Sequence, residues 1–210
     1  MTSIHRTLAV SALVLSAASH SGCVLGTREP TLYYPPKAEA DAVPAAQAAA
    51  KPVTKTVHVV LVPFADQRSD KKVVGTTRNA YGMKMADVIP KNSVPDWVTQ
   101  ALKTELQNDG YVVQGRTPGD EGPASRSAII SGEVLNVFCD MYLEYTGQVS
   151  LLVRVKRDGK ELLNKHYAGE GSAGLAWAAT EESYAQSLAL ALSSAIQKFV
   201  RDLDQSLMAP

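Results

Sequence analysis

A long two-residue alternation, broken by one tight-turn signal, constrains this chain more than anything else in it. In "GQVSLLVRVKRDGKELLNKHYAGEG", Val149, Leu151, Val153 and Val155 alternate with Arg154 and Lys156, and Asp158-Gly159 supplies the turn of a hairpin. Upstream, "AIISGEVLNVFCDMYLEY" carries the same period. Leu135, Val137, Cys139, Met141 and Leu143 share one parity, opposite Asn136, Asp140 and Glu144. Gly132 stands where the pattern weakens, as a bulge requires. Such strands have one apolar face, and that face must be covered.

Two amphipathic segments can cover it. In "ATEESYAQSLALALSSAIQKFVRDLDQSLM", Thr180 is the expected N-cap, and Glu181 and Glu182 complement the helix dipole. Tyr184, Leu188, Ala191, Leu192, Ala195, Ile196, Phe199 and Leu203 then fall on one face. Such a helix is about 40 Å long, enough to cross a small sheet. "SVPDWVTQALKTELQNDG" is punctuated by Ser93, Pro95, Asp96 and Gly110, with Val94, Val98, Ala101, Leu102 and Leu106 as its stripe and Trp97 at the border. In "TVHVVLVPFADQRSD", Val57, Val59 and Leu61 alternate with His58, Val60 and Val62, and apolar content on both faces suits a central strand. A short edge strand is expected from Met83 to Val88, and "YVVQ" reads as another strand. The expectation is a single α+β domain over residues 56–206, a mostly antiparallel sheet with two helices packed on it.

The N-terminus is not part of that fold. "MTSIHR" is weakly positive, and "TLAVSALVLSAAS" is an apolar or small run of about a dozen residues, short of the roughly 20 needed to span a bilayer. Residues 1–22 therefore read as a secretory signal. His20-Ser21-Gly22-Cys23 resembles the cleavage motif of bacterial lipoprotein precursors, in which the cysteine thiol is acylated. Ser21 and Gly22 match its small residues, and His20 stands where Leu is usual. The alternative is ordinary cleavage near Ala18 or Ser19, leaving Cys23 a plain thiol. Val24 in place of Asp, by resemblance to enterobacterial sorting, implies the outer membrane. Three acyl chains on one cysteine anchor permanently, where a single chain holds marginally.

Residues 23–55 are Ala- and Pro-rich with few large aliphatics, and read as the acylated cysteine and a disordered tether. Tyr33-Tyr34-Pro35-Pro36 could dock on the domain or on a partner, but a solvated linker is the first reading. With Cys23 acylated, Cys139 has no disulfide partner and is expected to be a buried small apolar residue. The sharper reading, a catalytic cysteine, has against it the strand-like neighbours "NVFCDMY".

The chain of 210 residues carries 21 Lys+Arg and 21 Asp+Glu, a formal net charge of zero. The basic excess that phosphate contacts require is missing, so no nucleic-acid partner is expected. Gly169-Glu170-Gly171-Ser172-Ala173-Gly174 matches G-x-G-x-x-G, but its preceding strand belongs to a hairpin, not to a parallel βαβ unit. The glycines read instead as a bulged strand exit. The sequence lacks G-x-S-x-G, H-E-x-x-H and C-x-x-C, and His58 and His166 are separated by most of the domain. Asp66, Asp70, Asp140 and Glu170 are scattered on turns and outward faces. No cofactor, metal or catalytic residue is assigned, and no enzyme is expected.

The ordered features resemble a known family, the YajG-like bacterial lipoproteins. The lipoprotein signal, the first strand running into "DQRSD", the helix ending before "DGYVV", the meander and the closing helix follow in that family's order over roughly residues 57–203. The resemblance implies a periplasm-facing lipoprotein with no catalytic residues to carry over. The chain is also more distantly similar to auxiliary lipoproteins of ABC-type lipid transporters. Three functions are weighed. The first is a non-enzymatic, outer-membrane-anchored interaction module of the periplasm, with a membrane contact through its lipid, an unidentified envelope protein partner and room for self-association. The second is a lipid- or glycolipid-handling accessory of an envelope transport system, with a groove between helices and sheet. The third is an envelope hydrolase, which lacks a nucleophile constellation.

Overall fold

A computed structural model describes residues 26–35, 55, 57–115, 127–176 and 179–208. The chain runs β1 (His58–Leu61), β2 (Ala65–Asp66), β3 (Gly75–Arg78), β4 (Lys84–Val88), α1 (Val94–Asn108), β5 (Val112–Gly115), β6 (Ala128–Met141), β7 (Glu144–Arg157), β8 (Lys160–Leu175) and α2 (Glu181–Met208). The long alternation becomes β6, β7 and β8, paired antiparallel along nearly their whole lengths. Asp158 (φ 51°) and Gly159 (φ 77°) form the tight turn, both in the left-handed region such a turn demands.

The sheet is mixed, not mostly antiparallel. One edge of β6 pairs with β7; the other is served in succession by β1, β2 and β3, all parallel to it. Together β1, β2 and β3 behave as one interrupted strand lying along β6. β1 also pairs with β5 in parallel across α1, and β4 closes the β3 side antiparallel. β1 is thus flanked on both sides, as expected, yet only Val59 and Leu61 are buried, while His58 on the other face is exposed. The expected edge strand forms as β4; β2 and β3 were not expected.

Both helices cover the same face. Every residue of the two expected helical stripes is buried, and Trp97 is buried with them. Ser93 Oγ accepts from Asp96 N at 3.4 Å, Thr180 Oγ1 accepts from Ser183 N at 3.2 Å, and Gly110 (φ 90°) follows the end of α1. The β6 pattern differs from the simple alternation. Ala128, Ile130, Gly132, Val134, Val137, Cys139 and Met141 are the buried residues, so the parity changes between Val134 and Val137. The ladder slips there, at Leu135, and not at Gly132. Gly132 lies in the unbulged part of the strand, where a Cβ would meet the Phe64 ring at 2.4 Å.

The glycines of G-x-G-x-x-G lie within β8, and the expected bulged exit forms at the last of them: the β7–β8 ladder slips between Ser172 and Leu175, around Gly174, while Gly169 and Gly171 lie in the regular part of the strand. Gly169 and Gly171 face the backbone of α2: a Cβ would stand 2.0 Å from Ala191 O at Gly169 and 2.5 Å from Ser187 O at Gly171. Gly147, paired with Gly171 across β7 and β8, faces Ser187 O at 2.6 Å in the same way. These residues form a slot into which α2 sinks. Of the motif's glycines, Gly174 has a positive φ, 79°, and open space around it.

Residues 28–34, read from sequence as linker, lie against the domain. Arg28 bridges Val88 in parallel at the outer edge of β4, with Arg28 N donating to Asp87 O and Ile89 N to Arg28 O. Leu32 is buried at 3% exposure. Trp97 Nε1 donates to Tyr33 O at 2.9 Å, and the Tyr34 hydroxyl to Glu105 at 2.7 Å. The Tyr33 hydroxyl reaches Gln186 Oε1 at 2.6 Å. The segment straps β4 to both helices.

Two substitutions separate the causes. Gly169→Ala should destabilise by about 1–3 kcal/mol or more, because the clash is with helix backbone that has no rotamer to yield. Gly174→Ala should cost about 1 kcal/mol, through its backbone angle alone. Leu192→Ala, at the centre of the α2 stripe, should cost about 2–5 kcal/mol. Denaturant melts of the three variants should rank in that way, with Gly174→Ala the mildest.

Candidate functional site

Among the described residues no helix covers the other face of the sheet, and its surface is richest at the end where β6 turns into β7. There the strand pairing stops at Met141–Tyr145, so Tyr142 and Leu143 leave the ladder and Leu143 is 66% exposed. Sequence alternation placed Leu143 with the buried parity; the turn takes it out. Beside it the β3–β4 connection presents Tyr81, 86% exposed, and Met83. Leu175, at the end of β8, is exposed next to Leu143, whose carbonyl accepts from Ala176 N at 3.0 Å.

These apolar side chains sit on a fixed frame. Asn79 Oδ1 accepts from Tyr81 N and Met83 N, each at 3.0 Å, and Asn79 O accepts from Gly82 N at 2.9 Å. Gly82 has φ 80°, which the tight connection needs. Arg78 donates to Asp140 from Nε at 2.8 Å and to Gly82 O from Nη1 at 3.0 Å, joining the two connections through a charged group. The Tyr142 hydroxyl donates to Ala80 O at 3.2 Å. Exposure here is built in, not a frayed end.

Two hollows open on this face. One, of about 480 Å³, is lined by Phe138, Asp140, Tyr142, Leu143, Glu144, Thr146 and Gln148. The other, of about 320 Å³, lies between Phe138, Asn136 and the loop that joins β2 to β3, with Arg68, Arg78 and Lys84 in its walls. Phe138 is the ridge between them. The smaller hollow has basic walls, yet its guanidinium groups are engaged. Arg68, 5% exposed, donates to both oxygens of Asp66 at 2.9 and 3.0 Å and to Lys71 O at 2.7 Å. The "DQRSD" stretch thus bridges the gap between β2 and β3 with an internal ion pair. Asp70 caps the same loop, accepting from Lys72 N and Val73 N.

The residues weighed from sequence are not gathered here. Cys23 lies outside the described residues. His58 is on β1 and His166 on β8, with β6 and β7 between them. Cys139 is buried, its Sγ 3.1 Å from Ser187 Oγ, and burial pushes its thiol up to about 12, which suits the small-apolar reading and not a nucleophile. Among the described residues no three or more His, Cys, Asp or Glu side chains group to hold a metal ion. Likewise no helix among them is long and apolar enough to cross a membrane. The groove expected between helices and sheet is not where these hollows lie; at Gly147, Gly169 and Gly171 that interface is closed by backbone contact.

This chain belongs to a family of lipoproteins, described as uncharacterized lipoprotein (Lipoprotein_16), whose model matches residues 44–206. No curated protein matches it. Among solved structures it is similar to protein XCC0632 of Xanthomonas campestris, with TM-score 0.52 and 11% identity over 88% of this chain and 100% of that one. That likeness supports the fold. Fainter similarities reach lipoprotein GNA1162 of Neisseria meningitidis (TM-score 0.35, 13% identity, 72% and 97% covered) and the PelC dodecamer of Paraburkholderia phytofirmans (0.41, 12%, 73% and 94%).

The Asp66–Arg68 pair gives a pH test. Hydrogen bonds from the guanidinium hold the Asp66 carboxyl below its ordinary value. A depressed folded value adds stability above the unfolded value of about 4 and loses it as pH falls through the folded one. Asp66→Asn should therefore lower the denaturation midpoint near neutrality, and flatten the acid decline below about pH 4. A parallel pH profile for wild type and variant would remove the pair from the acid response.

Proposed function

We propose that this protein is a lipid-anchored envelope module, acylated at Cys23 and held at the periplasmic face of the outer membrane, that acts by non-enzymatic interaction. The observation that carries the reading is the rigid apolar end of the domain. Monomeric soluble surfaces seldom keep large aromatic and aliphatic side chains together on a hydrogen-bonded frame unless something covers them. Membership of a lipoprotein family supports the anchor, and the order of elements supports the finer kinship with the YajG-like lipoproteins. Protein recognition belongs on the uncovered sheet face around Phe138, where polar Gln148 and Asp140 border an apolar ridge.

An alternative reading has its own support. The hollow of about 480 Å³ has Phe138, Tyr142 and Leu143 in its walls and could take part of an acyl chain or glycolipid. In that reading the protein is an accessory to lipid handling, with its ligand on the open face and not between helices and sheet.

Cys23→Ser should release the protein from the membrane fraction or leave uncleaved precursor; normal processing with membrane association would refute the anchor. A photocrosslinking residue at Gln148 of the otherwise native chain, activated in cells and followed by mass spectrometry, should capture a discrete envelope protein. Capture of lipid alone would favour the accessory reading.

A further inference from the structure

The strap and the apolar end of the domain are related by geometry. Because the Arg28–Val88 bridge is parallel, the chain arrives at Arg28 travelling in the direction of β4, from the side where β4 begins. β4 begins at Lys84, immediately after the connection that bears Tyr81 and Met83. Cys23 precedes Arg28 by five residues. An extended chain gains at most about 3.6 Å per residue, so five residues reach at most about 18 Å from Arg28. Along β4, Val88 and Met83 are separated by about 17 Å, five residues at strand rise. The reach of the anchored cysteine therefore matches the distance to the apolar end, and the Ala- and Pro-rich segment after Pro35 comes too late in the chain to lengthen it.

We infer that Tyr81, Met83, Tyr142, Leu143 and Leu175 form a membrane-docking tip that dips into the leaflet holding the Cys23 acyl chains. This rests on the anchored reading above. The occupant is the lipid surface because the anchor's leash is short and leads toward this end. The tip's chemistry agrees: two tyrosines with polar hydroxyls and apolar rings, beside Met and Leu side chains, suit the boundary between headgroups and acyl chains. The two connections are tied together by the Tyr142 hydroxyl and Arg78, so they would enter as one unit. The domain would then stand on the membrane by its tip, not hang from a long tether, with the β7–β8 turn farthest from it.

The test uses the full acylated chain with single cysteines introduced at Leu143, Met83 or Lys160 and labelled with a fluorophore. Cys139 is buried and stays unlabelled. Each protein is reconstituted into phosphatidylethanolamine–phosphatidylglycerol vesicles containing acyl-chain-brominated lipid. Quenching should be several-fold stronger for Leu143→Cys and Met83→Cys than for Lys160→Cys at the opposite turn. Vesicle-bound protein with equal quenching at the three positions, or none, overturns the docking tip while leaving the anchor intact. Failure of the full chain to partition with vesicles overturns the anchor itself, and the tip with it.

Discussion

Everything in this domain depends on satisfying both edges of β6. A strand of fourteen residues presents donors and acceptors to either side, and a buried strand cannot leave them to water. One edge is met by β7 and the long hairpin. The other is met by three short pieces, β1, β2 and β3, placed end to end. Where the pieces part, side chains take over: Phe64 fills the space above Gly132, and Arg68 with Asp66 holds the loop before β3. The chain leaves β1 at Leu61, runs along β6 through β2 and β3, and returns by way of β4 and α1 to place β5 parallel to β1 on its other side.

Local chemistry was legible in the sequence where it decides the structure by itself. The α2 stripe, the Ser93 and Thr180 caps and the Asp158-Gly159 turn depend on neighbours within a few residues, and all are present. What was not legible depends on remote partners. β3, "GTTR", has no aliphatic signal; Thr76 and Thr77 are buried because β6 and β4 close on either side of them. The slip at Leu135 is hidden because apolar residues stand on both sides of it, and only the β7 ladder fixes which parity is inward. The strap has too little apolar surface to order alone, yet Leu32 and Tyr34 complete surfaces that α1 and β4 already offer. For the apolar end, the individual residues were visible but their convergence was not, since it joins three connections far apart in sequence.

The uncovered sheet face and the covered one divide the molecule's work. On the covered side, aromatic contacts such as the Tyr145–Tyr184 edge-to-face pair, 5.0 Å between centroids, fasten α2 to β7, and the hydroxyl of Tyr184 meets Thr77 at 2.7 Å. On the open side, charges are neutralised within the surface: Arg78 by Asp140, Arg154 by Glu133, Arg68 by Asp66. A face so balanced offers shape and apolar ridges to a partner more than it offers net charge.

The glycine slot has a consequence for how α2 can sit. Opposite Gly147, Gly171 and Gly169 the helix presents Ser187, Ala191 and Ala195, one small residue per turn, with Tyr184 before that run and Phe199 after it. Sliding the helix by one turn toward either end would move a ring toward a channel cut to the width of bare backbone. The slot works as a key and its wards: it admits one axial setting of a helix whose repetitive Ala-Leu composition would otherwise tolerate several.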